Sequence, residues 1–415
     1  MMKCSTLCVL FIPLVLVWPH PADADRWPRF RGPNGTGVSA DKAIPVQWTD
    51  KDGILWKSAI PGLGNSSPVV WGDRIFLQSS TPDGHARMLL CLSTAEGKVL
   101  WQQTIKATPT RIHPKNTLAS STPAADGRAV YAVIWDGSQI GVYAYDMAGT
   151  PLWQRSLGGF VSQHGPGMSP IVCRDTVVVA NDQDGVSTLV GLNAKTGEVQ
   201  WQTPREAFRA CYSTPFLLQG AGDSTELVVA STAGLTSYEP ATGKEKWKWK
   251  WVFSGMPLRT VGSAVSVDGL VFANSGDGNG DRHTVAVSVS DGAPKLLWEK
   301  RRGFPYVPSM LAWHSYLFYV NDDGIAGCCV ARSGETLWTE RLGGKVSASP
   351  ILIDGKIYAI NESGTVFVFA ADSSFRLLGK SDVGEGVMAT PAVADGRLYI
   401  RSKEHLFCVG KTKAE

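Results

Sequence analysis

The chain has 415 residues, 44% of them hydrophobic and 19% charged, with a formal net charge of +3. That balance lacks the clustered basic face that nucleic acid requires, and apolar periodicity of the helical kind is absent throughout. Glycine at 44 positions suits many strands and tight turns instead.

In chain order, Lys3 precedes an apolar run from Cys4 to Trp18, and Ala22-Asp23-Ala24 has the small-x-small form of a signal-peptidase site. Residues 1–24 are therefore expected to be a signal peptide, and the mature protein to be exported to the periplasm or beyond the cell. The run is short for a membrane span, and no later segment could cross a bilayer. Neither Cys4 nor Cys8 follows a full apolar region, so no lipid-attachment site is read there. Residues 25–53 form an N-terminal extension, and a tail occupies 411–415.

From Trp56 onward the sequence repeats. Trp56, Trp101, Trp153, Trp201, Trp247, Trp298 and Trp338 follow one another at gaps of 45, 52, 48, 46, 51 and 40 residues, a period that signals stacked supersecondary units. A glycine precedes most of them by four residues: Gly97, Gly149, Gly197, Gly243 and Gly334; Gly292 precedes Trp298 by six. Upstream of each hairpin a small residue and a proline open another pair of strands, as in Ser67-Pro68, Thr122-Pro123, Ser169-Pro170, Thr214-Pro215, Ser349-Pro350 and Thr390-Pro391. Divergent starts near Ser263 and Ser309 complete eight. Runs such as Ile351-Leu352-Ile353 and Lys356-Ile357-Tyr358 flank an Asp-Gly turn, a strong hairpin signal. Each repeat thus holds four strands, A to D, with the tryptophan on D.

Four-stranded units repeated radially describe a β-propeller. The fold expected is all-β with eight antiparallel blades in a single domain spanning 54–410. Seven tryptophans meet eight repeats, with Leu378 expected at the place of Trp338 in its own repeat. The last repeat ends at Phe407-Cys408-Val409 without a D strand, whereas Ile54-Leu55-Trp56-Lys57 has D character without A, B or C. Residues 54–60 are therefore expected to complete the blade begun at Ala389.

The stretches 193–201, 240–247 and 331–338 resemble the tryptophan-docking motif of pyrroloquinoline quinone (PQQ) repeats, and 27–35 resembles the opening of secreted bacterial PQQ-like propellers. The resemblance covers nearly the whole mature chain. It implies that the seven tryptophans wedge neighbouring blades together, each contributing about 4 to 6 kcal/mol as an upper figure. It implies two functional extremes: non-catalytic BamB-type propellers, and quinoprotein dehydrogenases that use PQQ with Ca²⁺ and carry a vicinal disulfide over the quinone.

Cys328-Cys329 is adjacent in that way, but Cys91 and Cys328 occupy a slot that elsewhere holds Gly191 or Ser237, a tight packing position. Neighbouring residues of a strand point to opposite faces, so the two sulfurs are not expected to meet. Asp277, Asn279 and Asp281 could offer oxygens to a hard cation, although Arg282 and Ser288 break the EF-hand pattern and plain turn chemistry explains the loop. On the face carrying the D-to-A loops, His113, His164, Arg209, Tyr212, Arg259 and Tyr306 are candidates for a ligand or partner; His164 and Arg259 would suit an anionic ligand. Trp247, Trp249 and Trp251 alternate with lysines and could make a carbohydrate platform. No catalytic constellation is identified. The function expected is an exported, monomeric, non-catalytic scaffold that binds envelope or secreted proteins, without a cofactor. The alternatives are a PQQ-dependent alcohol or sugar dehydrogenase and a carbohydrate-binding propeller.

Overall fold

β-Branched and aromatic runs joined by Asp-Gly dipeptides leave the backbone little choice but hairpins. In Asp268-Gly269, Asp354-Gly355 and Asp395-Gly396 both residues lie at positive φ, between 49° and 71°, the geometry whose twist matches that of the flanking strands. The computed structural model describes residues 26–220, 224–253, 255–289 and 293–411; the signal-peptide reading of 1–24 lies outside them.

Eight antiparallel sheets result, and their strand orders run A-B-C-D outward in each blade. Blades 1 to 7 occupy 69–106, 124–159, 171–204, 216–250, 265–300, 311–341 and 351–382. Blade 8 takes A to C from 392–410, and its D strand is Ile54–Ala59, paired antiparallel from Ile54↔Val409 to Ala59↔His405. The ring is closed by this pairing, as the two incomplete repeats required.

A β-bulge precedes the docking position in the D strand of every blade. The extra residue bends the strand and re-aims the next side chain into the seam between blades. In blade 7 the bulged residue is Leu378, and Val368 pairs with Gly379. Gly379, not Leu378, therefore stands where the other blades place tryptophan; the C-to-D turn of this repeat is longer, which shifted the alignment by one.

The seam beside Gly379 is filled from elsewhere. Val46 lies against Gly379, and Trp48 N donates to Ser381 Oγ at 2.8 Å. Ile44 and Trp48 are buried in one apolar cluster with Tyr358, Ile360 and Val368 of blade 7 and Ile400 of blade 8. The stretch before it crosses the inside of the ring. Arg26–Trp27 adds a strand to the inner edge of blade 1, and Val38–Ser39 pairs in parallel with the A strand of blade 7. Between these, Pro28 O accepts from Ala125 of blade 2, Arg29 and Asn34 bond to blade 4, and Arg31 bonds to blade 6. Residues 26–39 thus form a strap across the channel.

A second circumferential feature comes from the small residue that opens each A strand. Backbone N–H groups of Ser67, Thr122, Thr214, Ser263, Ser309 and Ser349 donate at 2.9–3.0 Å to the hydroxyls of Thr122, Ser169, Ser263, Ser309, Ser349 and Thr390. Each bond joins one blade to the next. The result is a girdle around the channel that satisfies backbone donors no sheet could reach.

Candidate functional site

Each docking tryptophan meets the following blade. Trp56 lies on Gly97, Trp101 on Gly149, Trp153 on Gly197, Trp201 on Gly243 and Trp298 on Gly334, all five glycines at positive φ. A Cβ at any of them would enter the indole. The indole N–H groups of Trp56, Trp101, Trp153, Trp298 and Trp338 donate to carbonyls of Thr94, Met147, Ala194, Ala331 and Asp372 in those same turns, at 2.9–3.1 Å. Trp247 instead donates to Glu226 at 2.6 Å. Cys91, Gly191, Ser237 and Cys328 stand directly opposite the tryptophan of their own blade, where a bulky side chain would collide with it.

Cys328 and Cys329 belong to two different apolar clusters, in the seams with blade 7 and blade 5 respectively. Both are free thiols, pushed up to about 12 by burial. Buried thiols of this kind are inert.

The axis of the ring holds a cavity of about 730 Å³, opening on the D-to-A and B-to-C loops and floored by Phe30 of the strap. His113, His164, Tyr212, Arg259, Tyr306, Asp277 and Asn279 line it; Arg209, Asp281, Cys328 and Cys329 do not. The rings of His113 and His164 stack at 4.8 Å. Burial lowers the pKa of His164 to about 4, helped by the positive charge of Arg259, His113 and Arg209. This histidine is neutral at pH 7. Arg259 is buried, but its guanidinium donates to Ala210 O (3.3 Å) and Gln163 Oε1 (3.0 Å) rather than to a carboxylate. Tyr212 OH lies 3.0 Å from Ser162 Oγ.

The wall from blades 5 to 7 is internally neutralised. Lys345 pairs with Asp323 (2.6 Å), Lys115 reaches Glu362 (2.8 Å), and Arg282 lies 3.8 Å from Asp322. Asp277 accepts the N–H groups of Asn279 (2.9 Å) and Asp281 (3.1 Å). Its carboxylate holds the turn together. Trp251 is buried, with Phe253 stacked on it at 5.8 Å and His283 at 5.0 Å.

Sequence reasoning did not find three other features. Arg205 and Asp182 form a fully buried bidentate pair at 2.7 and 2.9 Å, joined by Tyr238 OH. Glu385, Glu404 and His405 can bring ligand atoms together, yet Lys57 Nζ already sits 2.7 Å from Glu385. The third is the hydroxyl girdle; its signal, a small hydroxyl before proline, was visible as a strand start but not as a contact between blades.

A family model described as outer membrane protein assembly factor BamB (PQQ_2) matches residues 34–140 and 138–307. Outer membrane protein assembly factor BamB of Yersinia pestis is 23% identical over 302 residues, 68% of this chain and 71% of that protein. Among solved structures, BamB from Moraxella catarrhalis has a TM-score of 0.62 at 14% identity, covering 86% of this chain and 98% of its own. Quinohemoprotein alcohol dehydrogenase from Comamonas testosteroni has a TM-score of 0.66 at 13% identity, covering 95% and 82%. At such identities these structures speak for the fold alone. With more than half of its length matched by the family model, the chain belongs to the PQQ-repeat propeller family described by BamB.

Proposed function

We propose that the protein is an exported, non-catalytic propeller that holds an envelope or secreted protein against its D-to-A and B-to-C loops. The observation that carries this reading is a band of apolar side chains on the loops of blades 2 to 4. Val161, Val186, Phe208, Val252 and Met256 are each between 60% and 81% exposed. Contiguous exposed apolar surface marks contact with a partner. The loops carrying Val161, Val186 and Phe208 are fixed to one another: Asp184 N donates to Val161 O (2.9 Å), and Ala210 N to Asp184 Oδ1 (2.8 Å). A preordered surface loses little entropy on binding. The relative described as an outer membrane assembly factor suggests a partner in that machinery.

A PQQ-dependent dehydrogenase draws support from the axial cavity with His164 and Arg259. The residues present do not suit the quinone site that the resemblance implies: the cysteine pair is walled off in two seams, and the Asp277 carboxylate is used by its own turn. The carbohydrate reading is weakened by Trp251, whose faces are covered.

Photo-crosslinkers at Val186 and Val252, with a control at Leu337 on the outer edge of blade 6, test the proposal in envelope extracts. One protein should crosslink from the first two positions and not from the third. The double variant Val186→Asp/Val252→Asp should lower its capture at least tenfold, since each buried charge in an apolar contact is heavily penalised. Equal yields from all three positions, or saturable PQQ binding that requires calcium, would favour the other readings.

A further inference from the structure

Three buried guanidinium groups bond to backbone carbonyls beside the hydroxyl residues that line the axial cavity, with no carboxylate partner among the described residues. Arg29 donates to Pro215 O at 2.9 Å, Arg31 to Met310 O at 2.6 Å, and Arg401 to Ser66 O at 3.0 Å. Each of those carbonyls is next in sequence to a girdle residue: Thr214, Ser309 and Ser67. All three arginines are buried, and burial alone lowers each to about 9, which leaves them charged at pH 7. Arg31 Nη1, Arg29 Nε and Arg401 Nε find no partner among the described residues. Three buried positive charges without counter-ions raise the potential at the channel floor, where the low dielectric screens them little.

The girdle supplies the matching donors. Ser67, Thr122, Ser169, Thr214, Ser309 and Ser349 line the cavity, as does Thr390. Where such a hydroxyl accepts the N–H of the preceding blade, its own proton is free for another acceptor, because a hydroxyl both donates and accepts. No described residue takes these protons. Ser67 lines the cavity as well, and its hydroxyl takes no part in the girdle, which it joins through its backbone N–H alone.

We propose that the floor of the funnel, the hydroxyl ring above Phe30, is a binding site for a small inorganic oxyanion of the phosphate or sulfate class. A tetrahedral oxyanion presents acceptors in several directions and can bond hydroxyls of different blades at once. Its charge is offset by the three guanidiniums behind the ring. Phe30 closes the site from below, so the anion enters from the loop face. The proposal stands independently of protein docking on the rim.

Titration calorimetry of the full mature chain with inorganic phosphate, and separately with sulfate, tests it against sodium chloride at matched ionic strength. One saturable site per chain is expected, with a melting temperature raised by phosphate and not by chloride. Ser67→Ala removes a cavity-lining hydroxyl and breaks no girdle bond; it should weaken binding about tenfold, the usual effect of losing one hydrogen bond to a charged group. Its melting temperature without phosphate should match that of the parent. Absence of binding overturns the proposal. So does phosphate binding that survives Ser67→Ala and disappears in Arg259→Gln, which would seat the anion on the wall around Arg259.

Discussion

At the scale of single residues, the repeat is a contract between a glycine and the tryptophan of the preceding blade. Gly197 has a φ of 71° and faces the ring of Trp153. Gly197→Ala should cost about 2 to 4 kcal/mol, from left-handed strain plus overpacking, read as a fall in the urea midpoint at unchanged slope. The tryptophans were legible because they recur; their true partners were not, because a fixed offset inside one repeat says nothing about which repeat supplies the contact. His164 gives a second expectation. Its pKa is held at about 4 against an ordinary 6.5, so the unfolded chain binds more protons between those values. The stability involved is complete above about pH 6.5 and is lost as pH falls toward 4. Burial alone would raise Glu385, but hydrogen bonds from Lys57, Ser402 and His405 hold it at about 2; its contribution is lost at lower pH, below about 4.5. Melting temperature against pH should therefore decline in two stages, and His164→Gln should flatten the upper stage alone.

At the scale of elements, the bulge and the strap work together. Seven seams are wedged by a tryptophan from the D strand; the seam after blade 7 has Gly379 there and is wedged by residues 44–48. Trp48→Ala should destabilise by about 3 to 5 kcal/mol, as expected for removing a buried indole. Hydrogen exchange should locate the loss in Leu377–Asp382 and Ile54–Ala59, the D strands of blades 7 and 8, before the other blades. The hairpins were readable from Asp-Gly turns and alternating apolar runs. The strap was not: its strands are two residues long and have no counterpart in the repeats, and Val38–Ser39 pairs with a blade more than 300 positions away. Arg29 and Arg31 looked like ordinary charged residues of an extension, and only the channel shows them buried. Leu378 misled for a related reason, since one extra turn residue moves the bulge without changing the hydrophobic pattern.

At the scale of the whole molecule, a blind funnel results from plugging one end of the ring with its own N-terminal segment. Five of the six candidate binding residues line that funnel, and Arg209 alone stands outside. The loop face could be read from sequence because propeller connectivity fixes which loops share it. The partial neutralisation of its cations could be read too, from the acidic B-to-C loops on the same face; the individual ion pairs could not, because each joins separate loops. Closure of the ring also carries a consequence for biosynthesis. Ile54–Ala59 leaves the ribosome long before its partner, His405–Gly410, which follows it by more than 340 residues. Throughout synthesis, and through any translocation as an unfolded chain, the strand that ends as the outer edge of blade 8 has nothing to pair with. The strap and residues 44–48 wait likewise for blade 7. Pairing across such separations is slow and exposes sticky strands, so this protein depends on whatever shields nascent chains for as long as it takes the last strand of blade 8 to arrive.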